Sequence, residues 1–279
     1  MRIAGIPRNP EHSPNMSDKD MKLFCEISER LKERGHSVEI VDNDNIDGVY
    51  DAIFHMSRTD ETLQKLSDCE KRGISVINSP NGVKNCSRKT FMEIFGSNDI
   101  KQPPYCVVTH LTDTTMLKYP GWLKKSEGWS AHIDDVQFVA SPQEADEALQ
   151  RLSARGHSEA IYCEHIKGDL IKFYGVRGTE FFRHHYPDPE TTKFGLERIN
   201  GRAEKHPFDH KQLQQTAFQA AEALQIDVFG GDCIVTPNGE IYIIDMNDFP
   251  SFSAYREEAA EAIAGIIEKR AERNERIRP

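Results

Sequence analysis

Phe229-Gly230-Gly231-Asp232-Cys233-Ile234-Val235-Thr236-Pro237-Asn238-Gly239-Glu240-Ile241-Tyr242-Ile243-Ile244-Asp245-Met246-Asn247-Asp248-Phe249-Pro250-Ser251 reads as a β-hairpin with an acid on each strand. Asn238-Gly239 is a strong turn signal, because both central residues of a type I′ turn need φ > 0. With those two as the loop, pairing outward sets Pro237 opposite Glu240, Thr236 opposite Ile241 and Asp232 opposite Asp245. Asn247, two residues beyond Asp245, shares its face. Like charges directly opposite in a ladder repel, with side chains roughly 5 Å apart. A hard divalent cation between them removes the conflict, and Mg²⁺ is usually held by one or two carboxylates plus substrate phosphates. The alternative is a surface hairpin with solvated acids. Ile241, Ile243 and Ile244 beside the acids argue against a water-facing strand.

The rest of the chain bounds what such a hairpin can serve. Its 279 residues suffice for one compact unit or two to three small domains. The net charge of −10 argues against nucleic acid or an anionic membrane as main partner. No run approaches a transmembrane helix, and the N-terminus lacks a signal-peptide apolar core. Cys25, Cys69, Cys86, Cys106, Cys163 and Cys233 form no C-x-x-C pair, so reduced thiols in a cytoplasmic protein are expected.

The first third alternates short apolar strands (Arg2–Ile6, Val38–Val41, Asp51–His55, Ile74–Ile77) with amphipathic helices starting at Ser17 and Glu61. That order predicts a doubly wound parallel sheet, whose ligands bind past the strand carboxyl ends. The loop Pro7–Asn15 leaves the first strand at that edge and carries Arg8, His12 and Ser13. The middle predicts a helix over Lys84–Phe95, strands at Pro104–Val108, Gly121–Lys125, Asp134–Val139 and Ala160–Glu164, and a helix at Pro142–Arg155. The last third predicts strands at Asp169–Val176 and Thr179–His185, and a helix capped by Asp209 that buries Leu213, Ala217, Ala220 and Leu224. The hairpin and a terminal helix from about Ala254 complete it.

Lysines on or beside apolar sequence need negative partners, which a nucleotide phosphate or a structural carboxylate supplies. Lys89 lies in a helix; Lys124 and Lys125 follow Gly-Trp-Leu; Lys172 sits in Leu-Ile-Lys-Phe-Tyr. Adjacent strand residues point to opposite faces, so Lys124 and Lys125 cannot both enter one site, whereas Lys172 and Tyr174 share a face. Gly128, Ser130 and Ala131 form a small-residue turn through which backbone N–H groups approach a phosphate. G-x-x-x-x-G-K-[ST], G-x-S-x-G and H-E-x-x-H are all missing, and the histidines have no zinc-ligand spacing.

This ordered set (a helical lysine, a strand lysine, Tyr162-Cys-Glu-His-Ile166, Lys172, Asp232, then Asp245-x-Asn247) resembles the ATP-grasp superfamily over nearly the whole chain. The resemblance implies an α/β and α+β chain: an N-terminal Rossmann-like parallel-sheet domain (1–83), a central lobe (84–166) and a C-terminal lobe (167–279), the two lobes gripping ATP. It implies Lys89 and Lys124 on the phosphates, Glu164, His165 and Ile166 as the linker that meets adenine and ribose, and Asp169 and Lys172 on the nucleotide. Asp232, Asp245 and Asn247 resemble the Mg²⁺ ligands, with Mn²⁺ as a substitute. Most ligases of the superfamily, such as those like glutathione synthetase, have Glu-x-Asn at the last metal position and a glycine-richer phosphate loop. The Asp-x-Asn tail, with His132 in the phosphate-loop region, looks like the inositol polyphosphate kinase branch.

The primary expectation is a carboxylate–amine (or carboxylate–thiol) ligase acting through an acyl phosphate on small molecules, with Lys124, Lys172 and Arg183 as catalytic groups. Arg183, Arg256 and Arg8 are expected on the substrate carboxylate, with His132 nearby. The alternative is a small-molecule kinase, with Arg183, His184, His185, Lys193, Arg198 and Arg202 forming a basic acceptor pocket. A monomer or homodimer is expected.

Overall fold

The run Arg2–Ile6 is apolar at nearly every position because it forms an inner strand, β1, of a parallel sheet covered on both faces. β2 (Ser37–Ile40), β3 (Ala52–His55) and β4 (Ser75–Ile77) complete that sheet in the order β2-β1-β3-β4. The computed structural model describes residues 1–13, 16–42, 46, 48–128, 132–187 and 199–275. Helix α1 (Ser17–Glu33) buries Leu23, Phe24, Ile27 and Leu31 on one face of the sheet, and Gly35 turns the chain back at φ +84°. Helix α2 (Asp60–Lys71), capped by Thr59, buries Leu66 and Cys69 on the other.

The predicted helix over Lys84–Phe95 is two helices, α3 (Pro80–Asn85) and α4 (Arg88–Ser97). Ser87 interrupts them with extended backbone, φ −64° and ψ 142°, and its hydroxyl bonds Thr90 at 2.8 Å. The break resets which residues of α4 face inward.

The second sheet is antiparallel in the order β5-β8-β6-β7: β5 (Tyr105–Val108), β6 (Gly121–Lys125), β7 (Val136–Val139) and β8 (Ala160–Glu164). Helix α5 (Pro142–Ala154) packs Ala145, Ala148 and Leu152 on it. The third is antiparallel in the order β10-β9-β11-β12: β9 (Asp169–Val176), β10 (Phe182–His185), β11 (Val228–Val235) and β12 (Ile241–Asp248). Helix α6 (His210–Leu224) covers one face with the Leu213, Ala217, Ala220 and Leu224 stripe, and α4 joins it through Phe91 and Phe95. The other face lines a cavity. The terminal helix α7 (Arg256–Glu275) lies on α1 and the parallel sheet through Ile263 and Ile267.

Two buried polar residues tie the first sheet to the third. Asn78, fully buried after β4, accepts from the N–H groups of Asp227 and Val228 at 2.8 and 2.7 Å and donates to the Val228 carbonyl at 2.7 Å. His55, at the end of β3, donates from Nε2 to the Asn78 carbonyl at 2.8 Å. Burial pushes the His55 pKa down to about 4, so the folded protein holds it neutral at pH 6. The unfolded chain binds this proton near pH 6.5 and the folded chain does not. Stability from this group is therefore complete above about pH 6.5 and falls by about 1.4 kcal/mol per unit as pH drops towards 4. Urea unfolding from pH 7 to 4.5 should show that slope, and His55→Gln should flatten it. An unchanged slope in the variant would place the acid sensitivity elsewhere.

Candidate active site

The hairpin brings Asp232 opposite Asp245, but not by the uninterrupted pairing that a two-residue turn dictates. The turn is a three-residue loop: Thr236 N–H donates to the Glu240 carbonyl at 2.9 Å, and of Asn238 and Gly239 only Gly239 is left-handed, at φ +79°. Val235 consequently pairs with Ile241, one residue out of the expected register. A β-bulge between Cys233 and Asp232 then takes up Ile244 as an extra residue and restores the count.

The bulge also aims the acids. Before it, Ile241 and Ile243 point into the core; after it, Met246 and Asp248 do. Without the extra residue Asp245 would continue the buried series. With it, Ile244, Asp245 and Asn247 all line the open cavity between the second and third sheets. The displaced Ile244 carbonyl accepts from Lys124 Nζ at 3.2 Å, joining the two sheets across the cavity. Lys124 is buried, and burial lowers its pKa.

Lys172 on β9 stands opposite Asp232, its Nζ 3.2 and 3.3 Å from the two carboxylate oxygens. Asn247 Nδ2 donates to Asp245 Oδ2 at 3.1 Å. The floor is thus a row Lys172–Asp232–Asp245 across three strands, with Asn247 beside it. Arg58, Arg88, Lys124, Glu164 and Ile166 line the same cavity, as does Asn200. Glu164 takes Lys118 at 2.6 Å, and His165 Nδ1 accepts from Trp122 Nε1 at 3.1 Å.

Among the described residues, no group of three or more His, Cys, Asp and Glu is placed to hold a metal. Asp232, Asp245 and Asn247 form a smaller set, two carboxylates and an amide. Hard oxygen donors in that number suit Mg²⁺, which keeps waters and takes phosphate oxygens for its remaining positions. The residues present therefore fit such a cation.

Several expected site residues are engaged elsewhere. Lys89 pairs with Glu159 at 2.8 Å and does not line the cavity; the break at Ser87 puts Arg88 there, its Nη1 donating to the Lys125 carbonyl at 3.0 Å. Lys125 turns to Asp135 at 3.6 Å, as strand alternation requires. Asp169 is buried and accepts from the N–H groups of Glu204 and His206, both at 2.6 Å, so it anchors the segment carrying Asn200. Arg183 bonds Glu258 on the terminal helix and does not line this cavity. His132 caps a short turn by accepting from the Asp134 N–H and is 52% exposed. Arg256 opens α7 and does not line this cavity. His184 stacks on His210, and His185 on Tyr174. Asn15, Ser130, Ala131, Lys193 and Arg198 lie outside the described residues.

A second cavity adjoins the first, at the carboxyl ends of β1 and β3. Arg8 lines it but is consumed by the fold: Nε lies 3.1 Å from Asp20, Nη1 3.9 Å from Asp248, and Nη2 donates to the Phe249 carbonyl at 2.6 Å. Burial and the neighbouring Arg58 bring Arg8 down to about 10, still a cation at neutral pH. Arg58 Nη2 meets Asp248 Oδ1 at 2.6 Å and its carbonyl at 3.2 Å. Burial works against the Asp248 carboxylate, yet Arg58 and Arg8 hold its pKa below the usual range. His12, Ser13, Tyr174 and Ser251 complete the polar lining.

These placements separate two neighbouring residues. Mg-ATP at a hundredfold excess over its Kd stabilises a protein that binds it by about 2.7 kcal/mol. If the cavity takes the nucleotide expected from the sequence, Arg88→Ala should lose much of that ligand-induced stabilisation, while Lys89→Ala keeps it; a thermal-shift titration of each variant decides. Equal loss in both would mean that Lys89 reaches the nucleotide after all.

Comparison of the chain with protein-family models and with curated proteins returned no match. Solved structures do match it along nearly their whole length. A D-alanine–D-alanine ligase from Coxiella burnetii aligns with TM-score 0.72 at 13% identity, over 99% of this chain and 96% of that one. A RimK domain ATP-grasp protein from Sphaerobacter thermophilus aligns with TM-score 0.69 at 15% identity, over 96% and 99%. A D-alanine–D-alanine ligase from Bacillus anthracis, complexed with ATP, aligns with TM-score 0.65 at 14% identity, over 98% of each chain. The chain therefore has the ATP-grasp fold. Among the described residues no helix is long and apolar enough to cross a membrane.

Proposed function

We propose that this protein is an ATP- and Mg²⁺-dependent ligase that joins a small-molecule carboxylate to an amine. The observation that carries the reading is the row Lys172–Asp232–Asp245 with Asn247, laid across the floor of a cavity whose walls supply Arg88 and Lys124. Three cations, Arg88, Lys124 and Lys172, against the two acids of the metal set suit a polyphosphate that arrives with its cation. A divalent cation held by Asp232, Asp245 and Asn247 would neutralise charge on the phosphates. Lys124 and Lys172 orient the phosphate oxygens, and Ile166 and Trp122 give the base an apolar edge.

In this reading, a substrate carboxylate oxygen attacks the γ-phosphorus and the bond to the β-phosphate oxygen breaks, releasing ADP. An amine then attacks the acyl carbon of the acyl phosphate, phosphate departs, and the amine loses a proton. The second cavity favours this over transfer to a polyphosphorylated polyol. Its two arginines, Arg8 and Arg58, are matched by two buried acids, Asp20 and Asp248. An acceptor carrying several phosphates needs a surplus of cations there; a single carboxylate does not. Of the other nominees for a basic pocket, Arg183, His184 and His185 are engaged with Glu258, His210 and Tyr174, Arg202 lines neither cavity, and Lys193 and Arg198 lie outside the described residues.

Hydroxylamine trapping tests the reading. With Mg-ATP and a pool of small carboxylic acids, the protein should form a hydroxamate at the rate of ADP release. ADP release without any hydroxamate, and with phosphate transferred to an alcohol, would make it a kinase.

A further inference from the structure

The two cavities meet at one place. Their shared lining among the described residues is Arg58, Lys172, Asp232 and Asn247. Three of these come from the third sheet and belong to the row already described. Arg58 comes from the other side, three residues past the end of β3 in the parallel sheet. On the reading above, this junction is where the terminal phosphate of ATP meets the acceptor.

We infer that Arg58 is a catalytic residue that grips the transferring γ-phosphoryl group from the N-terminal side, opposite Lys172. Its side chain is only 10% exposed, and Asp248 holds its Nη2 by a carboxylate oxygen and by a main-chain carbonyl. That attachment holds the planar guanidinium at the junction instead of leaving a flexible chain to find it. Asp248 is itself the last residue of β12, next to Asn247, so the same contact sets Arg58 in register with the metal strand. The charge has a reason to be arginine: a guanidinium has five N–H donors and can contact a carboxylate and a phosphate together, which a single ammonium does less readily. The placement also explains why the loop after β3 carries a buried cation at the ligand-binding edge of a parallel sheet.

This inference rests on the nucleotide reading, and the test separates the two. ADP and the non-hydrolysable ATP analogue AMP-PNP are titrated, each with Mg²⁺, into the full chain by calorimetry. The wild-type protein should bind both, AMP-PNP more tightly. Arg58→Ala should weaken AMP-PNP by about tenfold or more, the scale of a lost charge-assisted contact, and change ADP by less than about twofold. Removing Arg58 leaves Asp248 buried beside Arg8 alone, so Arg58→Lys serves as the variant that keeps the ion pair and the fold. It too should lose most of the preference, because its one ammonium is taken by Asp248. Either folded variant keeping the wild-type preference overturns the inference, as does equal weakening of ADP and AMP-PNP. A wild-type protein that binds neither nucleotide overturns the functional reading and this inference together.

Discussion

Asp245→Asn should reduce ADP formation from Mg-ATP by roughly a hundredfold or more, the scale of losing one electrostatic stabiliser from an active site. The side chain keeps its size and stays on the open face set by the Ile244 bulge. Removing a negative charge opposite Asp232 relieves repulsion, so stability without ligand should stay within about 0.5 kcal/mol or rise. Asp232→Asn should cost as much activity but behaves differently in the fold. Asp232 is paired with Lys172, both side chains being 25% exposed, and losing that pair should cost up to about 1 kcal/mol. Steady-state turnover with a Mg²⁺ titration, alongside urea unfolding, reads both quantities. Near-normal turnover in both variants would remove the metal assignment.

Arg8→Ala should be among the most destabilising single changes in the chain, by about 3–5 kcal/mol, because it leaves Asp20 buried and strips Asp248 of one of its two cations. The Phe249 carbonyl loses its donor as well. That expectation replaces the one drawn from sequence, in which Arg8 held a substrate carboxylate. The two differ in a measurable way. A structural Arg8 lowers the urea midpoint and leaves the acceptor KM of surviving protein nearly unchanged. A substrate-binding Arg8 raises that KM strongly and costs under about 1 kcal/mol of stability.

The hairpin is only partly legible in the sequence. The pairing of Asp232 with Asp245 was legible from Asn238-Gly239, yet the turn adds one residue to its loop and the bulge at Ile244 takes one up. The two departures cancel, so the acids face each other and, because of the bulge, face the cavity. Bulges carry no strong local signal; Ile244 looks like any strand residue. Lys124 against Lys125 was legible for a simpler reason, since strand alternation admits no third arrangement. Lys172 with Tyr174 followed from the same rule.

The departures have physical causes too. Lys89 follows from the resemblance, which asks for a lysine in this helix; the backbone is extended at Ser87, the helix starts at Arg88, and it is Arg88 that lines the cavity. Arg58 follows β3 by three residues at the edge where a parallel sheet binds ligands, so the topology rule could have found it. Asp169 and Arg183 could not have been assigned this way. Their partners, the Glu204 and His206 amides and Glu258, are 35, 37 and 75 residues distant and are fixed by tertiary packing alone.

The central claim is that ATP's terminal phosphate is released rather than retained by the acceptor. Purified protein is incubated with Mg-ATP and a pool of small carboxylic acids, amino acids, amines, thiols and polyols, and ADP, free phosphate and product masses are followed together. A ligase gives ADP and free phosphate in equal amounts, with a product whose mass is the sum of two pool members less one water. ADP without free phosphate, together with a pool member heavier by one phosphoryl group, would contradict it.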